Sequence, residues 1–166
     1  QTTFERLLNN PEGMILVCGP TGSGKTTSLY AALRAVNDGR RKIVTAEDPI
    51  EYNLDKINQK EITEETTFPD LLRALLRHDP DVMLVGEIRD HITANTALAA
   101  ANTGHLVFGT VHTPDAFGTI TRLRGLDLDN SELADALLAI LAQRLVRRVC
   151  PDCAEPVDPS DEQRKL

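Results

Sequence analysis

Apolar residues come along this chain in short dense runs, and amphipathic stretches separate them. "MILVC" (14–18) is a continuous apolar run bounded by Gly13 and Gly19, the pattern of a strand buried on both faces. "KIVTAE" (42–47), "DVMLV" (81–85) and "HLVFGTVH" (105–112) read the same way. Helical patterns lie between them. "KTTSLYAALRAVN" (25–37) puts Leu29, Ala32, Leu33 and Val36 on one face, with Gly39 as a stop. "TFPDLLRALLRH" (67–78) carries Phe68, Leu71, Leu72, Leu75 and Leu76 at helical spacing, opened by Thr67 and Asp70 at capping-box separation. "ITANTALAAANTG" (92–104) is an alanine-rich helix closed by Gly104. Thr113 and Pro114 predict a cap and first turn for a helix over 115–124. "SELADALLAILAQRLV" (131–146), with leucines four apart from Leu133 to Leu145, predicts a last helix. "PIEYNLDKINQKEI" (49–62) alternates weakly and reads as an excursion or loose hairpin. "TTFERLL" begins as though a helix were already under way, and "AEPVDPSDEQRKL" is polar and proline-rich, so both ends read as cut from a larger protein.

Strands alternating with helices predict an α/β fold, a mainly parallel sheet with helices on both faces. The length of 166 residues with 41% hydrophobic content fits one such domain with a real core. The net charge of −7, from 25 acids against 18 bases, argues against a surface that coats DNA or anionic lipid. No apolar run approaches the roughly 18 residues of a membrane span, and the first residues lack a signal-peptide profile. Three cysteines, two of them in "CPDC", are not a disulfide framework and point to a reducing cytoplasm.

Directly after the first strand stands "GPTGSGKTT" (19–27). Gly19, Pro20, Thr21, Gly22, Ser23, Gly24, Lys25 and Thr26 fit the phosphate-loop pattern G-x-x-x-x-G-K-[ST], and Thr27 continues into the helix. Glycines allow positive φ and leave room for phosphate oxygens. Backbone amides then form an anion nest, reinforced by the helix N-terminus. Lys25 supplies a cation for the β- and γ-phosphates, and the Thr26 hydroxyl is offered to Mg²⁺. The expected ligand is a nucleoside triphosphate. Hydrolysis also needs carboxylates at neighbouring strand tips, and two tips carry them: "TAED" with Glu47 and Asp48, and "LVGE" with Glu87. At the second tip the position where an aspartate commonly helps to hold the metal is Gly86, with the acid one residue later.

The ordered motifs "GPTGSGKTTSLYAAL", "IVTAEDPIEY", "LLRHDPDVMLVGEIRD", "TGHLVFGTVHTPDA" and "LAQRLVRRVCPDC" resemble the secretion ATPase superfamily, the ATPases of type II secretion and type IV pilus assembly. The resemblance runs from about residue 11 to about residue 153. It implies a RecA-like P-loop ATPase core over 1–149 that works in a ring, usually a hexamer, with a cysteine-containing element starting at 150–166. It also implies an acidic box near metal and water, onto which Glu47, Asp48 and Glu51 fall, with Asp48 and Glu51 as Mg²⁺ candidates. Glu87 matches the glutamate of an atypical second nucleotide motif that likewise has glycine before it. His105 and His112 match a histidine box assigned to γ-phosphate sensing. Either Glu47 or Glu87 is the residue that polarises water. Two departures stand out: "GTVHTP" replaces the frequent "STLHTN", so Pro114 removes an amide, and His78 stands where glutamine is frequent.

Cys150 and Cys153 are spaced like half of a zinc knuckle. The resemblance places a second pair after them, so Zn²⁺ belongs to the intact protein, and two free thiols are the other reading for this chain. The pair favours the assembly or secretion branch over retraction motors. Arg144, Arg147 and Arg148 read as a solvated basic face. The implied function is an ATP-hydrolysing motor core powering type II secretion or type IV pilus assembly, cytoplasmic and peripheral to the inner membrane, that works with the inner-membrane platform and regulatory proteins of the machine and is weak in hydrolysis by itself. Two alternatives are a DNA-handling RecA-like ATPase and a non-hydrolysing nucleotide-gated binding module. The first is opposed by acidity and by only two tyrosines, four phenylalanines and no tryptophan for base stacking.

Overall fold

The computed structural model of the chain describes residues 3–160 and residue 164. In chain order the elements are α1 (Thr3–Leu7), β1 (Gly13–Cys18), α2 (Lys25–Val36), β2 (Ile43–Glu47), β3 (Asn58–Glu61) and α3 (Phe68–Leu76). They continue with β4 (Val82–Val85), α4 (His91–Ala101), β5 (Leu106–Val111), α5 (Ala116–Gly125), α6 (Asn130–Ala136) and β6 (Leu137–Ala142). The strands form one six-stranded sheet in the order β3-β2-β4-β5-β1-β6, and every pairing is parallel.

A parallel sheet needs both faces covered, and the strand residues alternate between two cores. Met14, Leu16, Ala46, Met83 and Val85 pack in the cluster that holds the buried residues of α3, α4 and α6. Ile15, Val17, Ile43, Leu84 and Phe108 join Leu29, Leu33 and Val36 of α2 and Leu8 beyond α1 on the other face. All residues of β1, β2, β4 and β5 are buried, which is why their runs are apolar without a period of two. The α/β, both-faces-covered expectation holds.

Two expected elements differ. The stretch 49–62 is no hairpin: after an excursion the chain returns as β3, a polar edge strand parallel to β2. Polar residues such as Lys60 and Glu61 suit an edge that would otherwise template aggregation. The last predicted helix, 131–146, stops at Ala136, and Leu137–Ala142 runs as β6 beside β1. The leucine spacing matched a helix, but "LLAILA" is equally a strand pattern. Pairing decides between them, because β1 is buried and its outer amides and carbonyls need partners. α5 starts at Ala116, one residue later than expected, and its cap is Asp115, which accepts from the Gly118 amide at 2.7 Å. Thr113 instead bonds Thr119 side chain to side chain. The N-cap half of the expected capping box of α3 is present: Thr67 Oγ1 accepts from the Asp70 amide, and the Asp70 carboxylate accepts from the Thr67 hydroxyl in place of its backbone amide. Residues 143–160 carry no helix or strand and are mostly exposed. Residues 161–163, 165 and 166 of the expected C-terminal element lie outside the described residues.

Candidate functional site

The C-terminal edge of the sheet opens into a cleft of about 640 Å³, lined by the phosphate loop, the tips of β2 and β4, and His112. Brought together there are Thr21, Gly22, Ser23, Gly24, Lys25, Thr26 and Thr27 with Glu47, Asp48, Glu51, Glu87 and His112. Gly19 and Pro20 complete the loop from behind, through carbonyls that hold the lysine.

The loop takes its shape from positive-φ glycines, Gly22 at 75° and Gly24 at 84°. Gly24 is also the residue preceding α2, and no side chain caps that helix. The amides of Lys25, Thr26 and Thr27 therefore have no intrahelical acceptor. Lys25 is only 8% exposed, and its Nζ donates to the carbonyls of Gly19 at 2.9 Å and Pro20 at 3.0 Å. The Ser23 hydroxyl is buried with no hydrogen-bond partner. An orphaned hydroxyl, uncapped amides and a cation on weak carbonyl acceptors all lack the same thing, an anion.

The two acidic tips differ. Glu47 is 3% exposed. Its Oε2 accepts from the Tyr30 hydroxyl, and its Oε1 accepts from Thr45 Oγ1 at 2.5 Å and Gln59 Nε2 at 3.0 Å. Burial, then the hydrogen bond and charge of Glu47, push the Tyr30 hydroxyl well above its ordinary range, so it stays protonated and donating. Glu87 has a more open side chain; its Oε2 lies 2.5 Å from an Arg89 guanidinium nitrogen and 3.5 Å from His112 Nε2. Burial pushes its carboxyl up, but the Arg89 hydrogen bond and the charges of His112, Arg89 and Lys25 outweigh that and hold it below its ordinary value. Gly86 is a matter of space: a Cβ there would stand 3.0 Å from the Ala46 carbonyl oxygen and 3.2 Å from Glu47 Cα. Asp48 and Glu51 are exposed on the cleft wall.

His105 is not brought to the cleft. It precedes β5 at the opposite sheet edge, roughly 20 Å of strand from His112, and its Nδ1 meets the Ala100 carbonyl near the end of α4 at 2.9 Å. Cys150 and Cys153 are exposed free thiols and Cys18 is buried. No group of three or more His, Cys, Asp or Glu that could hold a metal occurs among the described residues. Two thiolates alone do not fit a closed zinc site, which takes four ligands.

Sequence reasoning missed several residues here. Tyr30 and Gln59 hold Glu47, and Arg89 holds Glu87. Thr110 donates to the Gly86 carbonyl inside the cleft wall. Gln143, at the end of β6, bonds the phosphate loop. Only Arg89, in "GEIRD", had a local signal, a cation two residues from an acid at a strand tip.

The model of the family described as type II/IV secretion system protein matches residues 1–166. The chain belongs to that family. Type II secretion system ATPase E of Vibrio cholerae serotype O1 is 53% identical over 165 residues, covering 98% of this chain and 33% of that protein. The type IV pilus assembly ATPase PilB of Myxococcus xanthus is 48% identical over 162 residues, covering 96% of this chain and 29% of that protein. A crystal structure of the pilus retraction motor PilT with bound ADP superposes with a TM-score of 0.81 at 44% identity, over 88% of this chain and 46% of that one. The chain thus spans about a third of the length of these curated relatives. The likeness and the all-parallel sheet agree with the RecA-like P-loop architecture expected from the motifs. No helix among the described residues is long and apolar enough to cross a membrane.

Proposed function

We propose that this chain is the ATP-hydrolysing core of a motor that powers type II secretion or type IV pilus assembly. The observation that carries the reading is a buried Lys25 on an uncapped helix start, facing two acid-bearing strand tips across one cleft. The chain's relatives, named as secretion and pilus ATPases, support it.

The loop amides and the first turn of α2 bind the polyphosphate, helped by roughly half an elementary charge of helix dipole. Lys25 exchanges the carbonyls of Gly19 and Pro20 for phosphate oxygens, so its ammonium is hydrogen-bonded without ligand and charge-paired with it. The Ser23 hydroxyl gains the acceptor it lacks. The Thr26 hydroxyl, with Asp48 and Glu51, would hold Mg²⁺, which would supply positive charge to offset that of the polyphosphate. These hard oxygen donors fit Mg²⁺, which is commonly bound through one or two carboxylates together with phosphate.

Glu87 orients the attacking water. Its depressed pKa keeps it ionised, and only Oε2 carries ion-pair contacts. His112 stands beside it as the neighbour that responds to the terminal phosphate. Glu47 has both oxygens engaged by donors and acts by holding the β2 tip in place. The subunits work as a hexameric ring, cytoplasmic and peripheral to the inner membrane, and push on a platform protein. Hydrolysis by this chain alone is weak. Zinc at Cys150 and Cys153 would need two ligands from outside the described residues.

Calorimetry of Mg-ATP binding together with phosphate release tests this. The parent chain is expected to bind and to hydrolyse slowly, and Lys25→Ala to lose affinity by about a hundredfold. A folded parent with no measurable affinity overturns the reading.

A further inference from the structure

We propose that Gln143 is a positioning residue that holds the phosphate loop ready for polyphosphate before any ligand arrives. The proposal rests on the nucleotide reading above and adds to it a residue from the far end of the sheet. Gln143 follows β6, the edge strand beside β1. Its backbone amide donates to the Cys18 carbonyl at 2.9 Å, which extends the β1–β6 ladder to the last residue before the loop. Its side chain then crosses to the loop itself. Nε2 donates to the Ser23 carbonyl at 2.7 Å, and Oε1 accepts from the Ser28 hydroxyl at 2.7 Å, in the first turn of α2. One amide thus pins both flanks of the turn that contains Gly24 and Lys25.

The contact is close enough to set residue choice. A Cβ on Gly24 would stand 2.7 Å from Gln143 Nε2, and one on Gly19 would stand 2.5 Å from the Gln143 carbonyl oxygen. Both glycines are at positive φ as well, 150° at Gly19 and 84° at Gly24, so conformation and approach agree. Gln143 is itself held: Arg144 Nη1 donates to its carbonyl at 2.9 Å, and the same guanidinium reaches the Pro114 carbonyl, two residues after His112.

The chemistry of the side chain fits positioning. A primary amide donates and accepts at once, so it can take a carbonyl on one flank and a hydroxyl on the other without adding charge. By occupying the Ser23 carbonyl it turns that peptide's oxygen away from the cradle. A carbonyl facing in would repel phosphate, so the arrangement keeps the nest amides inward. An acid at 143 would have no donor for the Ser23 carbonyl and would add a negative charge beside the anion site.

The test uses the full chain with Gln143→Ala, Gln143→Glu, Ser28→Ala and the Gln143→Ala/Ser28→Ala double variant. Hydrogen exchange of the segment 19–28 is followed without nucleotide, and KM and kcat are measured with Mg-ATP. Gln143→Ala should speed exchange in 19–28 and raise KM by roughly five- to fiftyfold, with kcat within about threefold of the parent. Gln143→Glu should raise KM further. Ser28→Ala should give a smaller rise, and the double variant should be no worse than Gln143→Ala, because the two share one contact. A merely structural role would lower the melting temperature without a selective rise in KM. Unchanged exchange in 19–28, or KM within twofold of the parent in Gln143→Ala, overturns the proposal. If the parent binds no nucleotide, the functional reading falls, and exchange in 19–28 still decides whether Gln143 orders the loop.

Discussion

At the tip of β2, Glu47 is sealed among neutral donors: the Tyr30 hydroxyl, the Thr45 hydroxyl and the Gln59 amide. At the tip of β4, Glu87 keeps a more open side chain beside the Arg89 guanidinium and the His112 imidazole. Both acids face the same cleft and end adjacent strands. Neutral donors that fill a buried carboxylate's lone pairs fix it in one geometry and leave little for water. Charged neighbours at a half-open site keep the acid ionised while part of it stays accessible. Under the proposed function, the same residue type serves architecture at one tip and chemistry at the other. Gly86 contributes to the contrast, since its lack of a Cβ lets β4 end tight against Ala46 and Glu47.

The contrast breaks most visibly in hydrolysis. Glu87→Gln should cut phosphate release by about a hundredfold or more while Mg-ATP affinity stays within a few fold, because a water-orienting base acts in the transition state. If Glu47→Gln shows that pattern and Glu87→Gln does not, the assignments are reversed. Glu47→Ala should act on stability, since it takes the acceptor from the buried Tyr30 and Thr45 hydroxyls. The expected cost is about 2–4 kcal/mol, seen as a melting temperature lower by roughly 5–15 °C. An unchanged melting temperature would remove Glu47 from its structural role. Tyr30→Phe removes one of those donors and should cost about 1–2 kcal/mol, less than additive with Glu47→Ala.

The smallest effect is in pH. Glu87 titrates below its ordinary 4.5 in the folded chain. A depressed carboxyl contributes stability that is present above its unfolded pKa and lost as pH falls through the folded value. The acid limb of phosphate release assigned to Glu87 should therefore lie below pH 4.5. Arg89→Ala removes an opposite charge and should raise that pKa, moving the limb toward higher pH. Because the Arg89 side chain is 65% exposed, the accompanying stability loss should stay under about 1 kcal/mol. A limb that does not move would mean that Arg89 does not set the ionisation of Glu87.

The phosphate loop and four central strands were legible because their signals are local. Nine consecutive residues, 19–27, carry the cradle, and strands buried on both faces must be apolar throughout. The last element was misread for the opposite reason. Leu133 to Leu145 satisfy a helical spacing, yet Leu137–Ala142 serves as a strand because β1 needs a partner on its outer edge. His105 likewise shares a segment with His112 but sits at the other end of β5. A strand of six residues separates its ends by roughly 20 Å along the sheet, and no motif records which end faces a ligand.

By itself the residue order determined the alternation of strands and helices, the anion-binding turn and the acids at two strand tips, because backbone conformation and strand burial depend on near neighbours. Tertiary structure decided which glutamate is sealed and which is open, and it brought Gln143 onto a loop 115 to 120 residues earlier. Those outcomes depend on parallel strands aligning distant segments at one sheet edge, where hydrogen-bond partners are chosen by space and not by sequence separation.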